Sequence, residues 1–436
     1  MNLREFASRR RHVLRMLEKD SVLLLPTAAE KTRNRDVHFP FRAESDFYYL
    51  TGFAEPEALL VLKRGSRGME SILFCRDRDP EKERWDGYRL GPEAAVTQLG
   101  FDHAYPIDDL GEILPGLLEG CERIYYNMGA DPEFDGAVLQ WVNELRQKTR
   151  QGVQAPSEFV ALDPLLHELR LFKSRSEIGQ MRKAAKITVA AHKRAMQAVQ
   201  PGMMEYQLEA EYLHEFHRQG ARSPAYPSIV AGGNHATILH YVENNDVLND
   251  GDLVLVDAGA ELDHYASDVT RTYPVNGQFS PVQRELYDIV LEAQHAAFAQ
   301  VQAGNHWNDP HDAAVRVLTK GMLHVGLLKG SLSENLKKMS YRRFYMHRTG
   351  HWLGMDVHDV GEYQIDGRWR LLEPGMVLTV EPGLYISRGE RGVKKALQGI
   401  GIRIEDDLVV TKDGYENLTE GVPTDADEIE RWMAAA

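Results

Sequence analysis

The chain has 436 residues, of which 43% are hydrophobic. A single hydrophobic core stops growing at roughly 250–300 residues, so we predict two domains. The formal net charge is −14, which argues against a nucleic-acid-binding protein because phosphate groups are neutralised by basic surfaces. No apolar run approaches the length of a membrane span. We therefore expect a protein that binds neither nucleic acid nor membrane.

Two further features bear on the cellular compartment of the protein. The Arg-rich segment Met1–Lys19 lacks the apolar core of a secretory signal, and an amphipathic helix is expected there. A transit peptide is less favoured because Glu5 and Glu18 are acidic. The two cysteines, Cys75 and Cys121, lie in apolar strand-like runs, and buried free thiols are typical of cytoplasmic proteins. We expect a cytoplasmic location.

In the first part of the chain, apolar strand-like runs alternate with helical patterns. This alternation predicts a small α/β domain. The predicted helices are Leu3–Glu18 and Pro92–Leu99, and the predicted strands are Val22–Leu25, Ala58–Leu62, Ser71–Phe74 and Arg123–Tyr126.

The pattern changes near Leu171, which predicts domains over residues 1–172 and 173–436. Ser174 with Glu177, and Ser280 with Gln283, form capping boxes that mark the beginnings of helices. Hairpin-like strand pairs lie between and after the helices, so the second domain is predicted to be α+β. The predicted helices are Arg175–Val199, Glu205–Gln219, Pro281 to about Gly304, and Pro310–Val325.

An acidic hairpin is predicted near the middle of the chain. An apolar strand ends at Asp257, and Tyr265–Tyr273 is its expected partner. A turn centred on Leu262 and Asp263 would place Asp257 directly opposite Asp268. A solvated hairpin is the alternative interpretation, but the first strand is apolar on both faces and should be buried. Two buried carboxylates repel each other unless a cation lies between them, so this hairpin predicts a metal site.

Two later strands also lead into an acid, at Glu381 and at Glu405. Arg403 and Glu405 share a face by strand alternation, so the arginine could orient the carboxylate. Asp406 and Asp407 are alternatives to Glu405. Each of these acids alone is more often a surface residue at the end of a strand.

Three histidines, His347, His351 and His358, lie in one short segment that ends at Asp359. One imidazole and four carboxylates form a ligand set for two divalent ions, which can activate a water molecule. His240 lies in another strand-like run, where a lone histidine is usually a core residue.

These motifs resemble those of the pita-bread metallopeptidases, most closely the Xaa-Pro aminopeptidase (aminopeptidase P) family. The N-terminal part also resembles that family, whereas methionine aminopeptidases lack such a domain. The motifs that carry the resemblance are Phe41–Phe53 with Glu55-Pro-Glu, Asp257-Ala-Gly, Asp268-Val-Thr-Arg, His347–Asp359, Glu381-Pro-Gly-Leu-Tyr and Arg403-Ile-Glu405.

The resemblance implies a dinuclear metal site, usually with Mn2+, and assigns its ligands. Asp257 would chelate one ion, Asp268 and Glu405 would bridge both, and His351 and Glu381 would complete the other.

The resemblance also implies catalytic roles for His240, His358 and Glu381. His347, at the pocket for the proline ring, and Arg403 are assigned to substrate binding. The implied reaction releases the N-terminal residue from peptides with proline at position two, through attack by a hydroxide that the two ions share. A prolidase, which cleaves Xaa-Pro dipeptides, is the nearest alternative. A non-catalytic binding module is disfavoured because every ligand position is filled.

Two finer expectations follow from the same resemblance. A homo-oligomer, dimer or tetramer, is expected, in which Trp85 either reaches a neighbouring subunit or packs on its own domain. Arg348, Thr349 and Gly350 depart from the Gly-Leu-Ser that is common in the family. This departure concerns the shape of the pocket, since none of the three is a predicted ligand.

Overall fold

The computed structural model describes residues 3–66 and 68–435. The chain divides into two compact units, one ending at Leu166 and one beginning at His167. The predicted boundary at residue 172 stays a prediction. Within the described ranges, no helix is long and apolar enough to cross a membrane.

The first unit contains a mixed six-stranded sheet with helices. The helices are α1 (Leu3–Met16), α2 (Ser45–Thr51), α3 (Glu83–Asp86), α4 (Gly91–Leu99), α5 (Leu110–Leu118) and α6 (Pro132–Gln147), and α7 (Asp163–Leu171) spans the division. The strands are β1 (Ser21–Pro26), β2 (Thr32–Asn34), β3 (Val37–His38), β4 (Leu59–Gly65), β5 (Gly68–Cys75), β6 (His103–Pro106), β7 (Arg123–Tyr125) and β8 (Glu158–Val160).

The strand order in this sheet is β6-β5-β4-β1-β7-β8. The pairs β1/β4 and β4/β5 are antiparallel, whereas β5/β6, β1/β7 and β7/β8 are parallel. Leu114 and Leu118 of α5 and Val138 and Val142 of α6 are buried in one core with the sheet. Both predicted helices and all four predicted strands are present, although their ends differ by a few residues.

The second unit contains several small antiparallel sheets and six further helices. The helices are α8 (Arg175–Ala198), α9 (Glu205–Arg218), α10 (Pro281–Phe298), α11 (Asp309–His324), α12 (Leu332–Lys338) and α13 (Ala426–Ala434). The strands are β9 (Ser223–Pro224), β10 (Ile229–Gly232), β11 (Leu253–Asp257), β12 (Ala260–Leu262), β13 (Tyr265–Ala266), β14 (Thr270–Pro274), β15 (Gln364–Ile365), β16 (Arg368–Trp369), β17 (Val377–Val380), β18 (Gly383–Ile386), β19 (Ile400–Arg403), β20 (Asp406–Thr411) and β21 (Gly414–Asn417).

Three of these sheets hold the predicted carboxylates and Arg403 in or close to the ends of their strands, namely β10-β11-β14, β17-β20-β21 and β18-β19. Both predicted capping boxes are present, at the beginnings of α8 and α10. The prediction that α10 continues to about Gly304 is wrong, because the helix ends at Phe298. The chain turns after this point, and the Gly304 N–H donates to the carbonyl of Leu372.

The predicted register of the acidic hairpin is also wrong. Asp257 pairs with Thr270, so Asp268 lies two residues away from the predicted position. The turn falls at Asp263 and His264, both with positive φ, one residue later than predicted. Since strand side chains alternate, a shift of two residues keeps the same face. Asp268 is therefore a diagonal neighbour of Asp257, and the predicted proximity survives.

Close packing at Gly259 fixes the two arms of this hairpin. A Cβ atom at Gly259 would lie 1.7 Å from the carbonyl oxygen of Ser267, which precedes Asp268 in the chain. The backbone therefore has no room for any side chain at this position. The close approach holds the segment after Asp257 against the segment before Asp268.

We expect Gly259→Ala to destabilise the protein by about 3 kcal/mol or more, because the added methyl group forces the hairpin backbone apart. Gly179→Ala is the matched control, since it lies within α8 with open space around its Cβ position. That substitution should instead stabilise the protein by about 0.5–1 kcal/mol. Thermal unfolding of both variants checks this, and an unchanged melting temperature for Gly259→Ala would contradict the packing.

Candidate active site

The predicted carboxylates lie at the ends of strands. Asp257 is the last residue of β11, and Asp268 lies just before β14 begins. Glu381 directly follows β17, and Glu405 lies between β19 and β20. The apolar residues of these strands are buried in one core, so the strand ends place all four acids at fixed positions.

Main-chain pairing with β17 fixes the segment that carries His351. The Thr379 N–H donates to the carbonyl of His351 at 3.0 Å, and the Glu381 N–H donates to the carbonyl of Thr349 at 2.8 Å. Only glycine fits between them, because a Cβ atom at Gly350 would lie 2.0 Å from the carbonyl oxygen of Thr379. This close approach sets the position of the imidazole relative to Glu381.

Every predicted site residue lines one cavity of about 940 Å³ in the second unit. Ligand atoms of Asp268, His351 and Glu405 lie within 4.8 Å of one another, a separation that one metal ion can span. The predicted residues in the cavity wall are His240, Asp257, Asp268, His347, His351, His358, Glu381, Arg403 and Glu405.

A tyrosine and an arginine hold Asp257 and Asp268. The Tyr226 hydroxyl lies within hydrogen-bonding distance of two carboxylate oxygens, Asp257 Oδ1 at 2.6 Å and Asp268 Oδ1 at 2.5 Å, and its single proton is shared between them. Arg403 Nη2 donates to Asp257 Oδ2 at 2.6 Å. Burial raises the pKa of Asp257 even so, and the charge of Asp268 adds to the rise.

The other predicted ligands, Glu381, Glu405 and His351, show the same excess of negative charge. Burial, together with the neighbouring acids, raises the pKa of Glu381 to about 7 and that of Glu405 well above its usual value. Burial opposes a charge on His351, yet its contact with Asp268 at 3.4 Å and the charge of Glu381 raise its pKa to about 9. The cluster thus stabilises a cation at its centre. Carboxylates and one imidazole are also the ligands that hard divalent ions prefer, so these residues fit the expected metals.

The other histidines surround this cluster. The rings of His351 and His358 lie 4.4 Å apart, centroid to centroid. His347 Nε2 is hydrogen-bonded to the Tyr385 hydroxyl at 2.8 Å, and its Nδ1 lies 3.6 Å from Glu381 Oε2. His240 is exposed on the cavity wall. The strand predicted around it is wrong, because a 3₁₀ helix (Gly233–Thr237) and a turn occupy that run.

The structure also distinguishes Glu405 from its two acidic neighbours in sequence, Asp406 and Asp407. Thr270 donates its hydroxyl to Glu405 at 2.6 Å and accepts from Arg403 Nε at 3.1 Å. Asp406 instead pairs with Arg271 at 2.8 Å, and Asp407 accepts from the main-chain N–H of Asp268. Of the three acids, Glu405 lines the cavity.

Sequence reasoning missed the residues that orient these ligands. Tyr226 contacts acids that lie 31 and 42 residues further along the chain, and no pattern near it marks the contact. Thr270 and Tyr385 lie within the motifs Asp268-Val-Thr-Arg and Glu381-Pro-Gly-Leu-Tyr. Strand alternation alone does not identify the hydrogen-bond partner of either residue. The partners come from strand pairing between distant segments.

Comparisons with known proteins are consistent with a metallopeptidase site. The profile of "Metallopeptidase family M24" matches residues 179–412, and that of "Aminopeptidase P, N-terminal domain" matches residues 6–125. The chain is 46% identical to the Xaa-Pro aminopeptidase of Escherichia coli (strain K12), across 99% of this chain and 98% of that protein.

Two solved structures give the same result. Pseudomonas aeruginosa aminopeptidase PepP superposes with a TM-score of 0.99 at 54% identity, covering 100% of this chain and 98% of that one. The Zn-substituted E. coli aminopeptidase P in complex with product superposes with a TM-score of 0.97 at 45% identity, covering 100% and 99%. The predicted fold classes, two-domain architecture and enzyme class are confirmed. The chain belongs to metallopeptidase family M24.

Proposed function

We propose that this chain is an Xaa-Pro aminopeptidase, which releases the N-terminal residue from peptides with proline at position two. The observation that carries this proposal is the convergence of four carboxylates and the His351 imidazole on one cavity. The E. coli relative of the same length has that activity in its name. The α/β N-terminal unit is matched by the aminopeptidase P profile as well.

We assign the ligands of two divalent ions as the sequence predicted. Mn2+ is the proposed metal, because carboxylate oxygens outnumber the single nitrogen. When bound, such ions lower the pKa of a coordinated water towards neutrality and polarise the substrate carbonyl. The ligands are Asp257, Asp268, His351, Glu381 and Glu405.

The residues of the chain then handle protons and charge. Glu381 would accept a proton from the attacking water, because its carboxylate lines the cavity beside the other proposed ligands. Burial lowers the pKa of His358, so its neutral ring can donate an N–H to the oxygen that becomes negative. His240, exposed in the same cavity, would protonate the leaving nitrogen of the pyrrolidine ring.

The cavity also suits a bond that most proteases handle poorly. The amide before proline has no N–H, so recognition cannot depend on that donor. His347 is held by Tyr385, and burial lowers the pKa of His347 to about 3, so its ring is neutral and packs beside the substrate. Trp307 and Tyr363 add aromatic wall to the same cavity, which fits a proline ring.

Peptide hydrolysis tests the activity and separates it from the prolidase alternative. Metal-stripped enzyme should release alanine from Ala-Pro-Ala only after Mn2+ is added, as measured by chromatography of the products. Cleavage of the dipeptide Ala-Pro alone would identify a prolidase. No cleavage of either peptide by folded, metal-loaded protein would favour a binding module.

Glu381→Gln should lower kcat/KM for Ala-Pro-Ala by roughly 100- to 10,000-fold, because the amide can neither accept the proton nor supply a charged metal ligand. Glu373→Gln is the matched control, since Glu373 is exposed four residues before β17 begins and should keep wild-type activity. Thermal unfolding establishes that both variants fold. More than a tenth of wild-type activity in Glu381→Gln would refute the assigned role.

We also propose a homo-oligomer. The alternative in which Trp85 packs on its own domain does not fit, because Trp85 and Tyr88 are 88% and 91% exposed. Two aromatic side chains three residues apart with such exposure support an association surface. A cytoplasmic location also stays a proposal, supported by the buried free thiols of Cys75 and Cys121.

Trp85→Ala should shift the protein towards a smaller species at equal concentration, as measured by light scattering after gel filtration. The control is Tyr206→Ala, which removes an aromatic side chain that is exposed on α9. An unchanged mass and unchanged kinetics for Trp85→Ala would remove this surface from the proposal.

A further inference from the structure

Arg348 is a cation on the wall of the catalytic cavity, and its position is fixed from two sides. Its guanidinium carbon lies 4.7 Å from the ring centroid of Trp369, which lines the same cavity. Its Nη2 donates to Asn308 Oδ1 at 2.6 Å. The Arg348 carbonyl accepts from His347 Nδ1 at 2.7 Å, which anchors the backbone. Stacking and one neutral hydrogen bond hold the group in place before any ligand arrives.

The charge of Arg348 has no acidic partner in the described part of the chain. No carboxylate there lies within 4.0 Å of its guanidinium group, although nearby Arg343 is paired with Glu390. The other arginine of the cavity, Arg403, is 4% exposed and is bound to Asp257. Of the two arginines that line this cavity, Arg348 is therefore the one whose charge is available to solvent or to a ligand.

The two charged regions of the cavity match the two ends of a short peptide. The acidic cluster suits the metal ions and the free α-amine. Arg348 directly follows His347, the residue assigned to the proline pocket, and both line the cavity, so the proposed function places Arg348 on the side of the leaving part of the substrate. A guanidinium group binds a carboxylate through two parallel hydrogen bonds, and its remaining N–H groups point to no other acceptor within residues 3–66 and 68–435.

We infer that Arg348 binds a carboxylate on the leaving part of the substrate, beyond the scissile bond. This inference rests on the proposed function and adds a substrate class to it. The carboxylate has two sources, the free C-terminus of a tripeptide or the side chain of an acidic third residue. Because Arg348 is exposed, the expected preference is modest, about three- to tenfold.

Binding of the leaving dipeptide tests the inference without relying on turnover. Titration calorimetry of metal-loaded protein should show Pro-Ala binding about three- to tenfold more tightly than Pro-Ala-NH2. In Arg348→Met, which keeps the stem over Trp369, the two affinities should become equal. Arg342→Met is the matched control: Arg342 is exposed six residues earlier, outside the cavity wall, and this variant should keep the preference.

A third ligand, Pro-Asp-NH2, identifies the source of the carboxylate. Tighter binding of Pro-Asp-NH2 than of Pro-Ala-NH2, lost in Arg348→Met, would assign the site to an acidic side chain. Equal affinities of the wild type for all three ligands, or an unchanged preference in Arg348→Met, would overturn the inference. If the protein binds Pro-Ala more tightly than Pro-Ala-NH2 but does not hydrolyse Ala-Pro-Ala, the carboxylate site is supported and the proposed activity is refuted.

Discussion

Four carboxyl groups line one cavity. Acids this close together cannot all ionise unless positive charge lies among them. The protein supplies part of that charge. Arg403 pairs with Asp257, and His351 acquires a raised pKa between Asp268 and Glu381. The pKa of Glu405 still remains well above its usual value, mainly through burial and then through the other acids. Binding of divalent cations is the arrangement that removes this imbalance.

The fold must hold these acids together against their repulsion, and a buried arginine that binds the surrounding backbone contributes to this. Arg271 is fully buried behind the ligands, and every N–H of its guanidinium group donates. Its acceptors include the carbonyls of Thr270 and Glu405 and the carboxylate of Asp406. One side chain therefore ties two ligand-bearing strands together from the side away from the cavity. The ligand positions are set by this scaffold, so a metal ion meets a site that is already assembled.

The sequence contained the ligands but not their arrangement. Asp257, Glu381 and Glu405 could be predicted because an acid at the end of an apolar strand is a local pattern. The hairpin register could not, because the turn uses Asp263 and His264 with positive φ, and neither is the glycine that usually marks such a turn. Any shift by an even number of residues would have kept the carboxylates on one face, which is why Asp257 and Asp268 lie close together despite the wrong register.

Contacts between distant segments set the other limits of the prediction. The run around His240 is apolar enough to predict a strand, yet it forms a 3₁₀ helix and a turn. Tyr226 has no acidic neighbour in sequence, and its role depends on strand pairing that brings Asp257 and Asp268 to it. Local patterns pointed to the carboxylates proposed as metal ligands, whereas the residues that orient them become visible only in the folded chain.

The departure from the family pattern at Arg348, Thr349 and Gly350 has a different meaning at each position. Gly350 is fixed by its close approach to the backbone of β17, and a larger residue would displace His351. Thr349 is 3% exposed, and its hydroxyl is hydrogen-bonded to His311 Nδ1 at 2.8 Å, so it belongs to the packing behind the site. Only Arg348 extends its side chain along the cavity wall. If the proposed roles are correct, variation at this position alters substrate choice and leaves the proposed metal ligands in place, whereas variation at the other two acts through the position of His351.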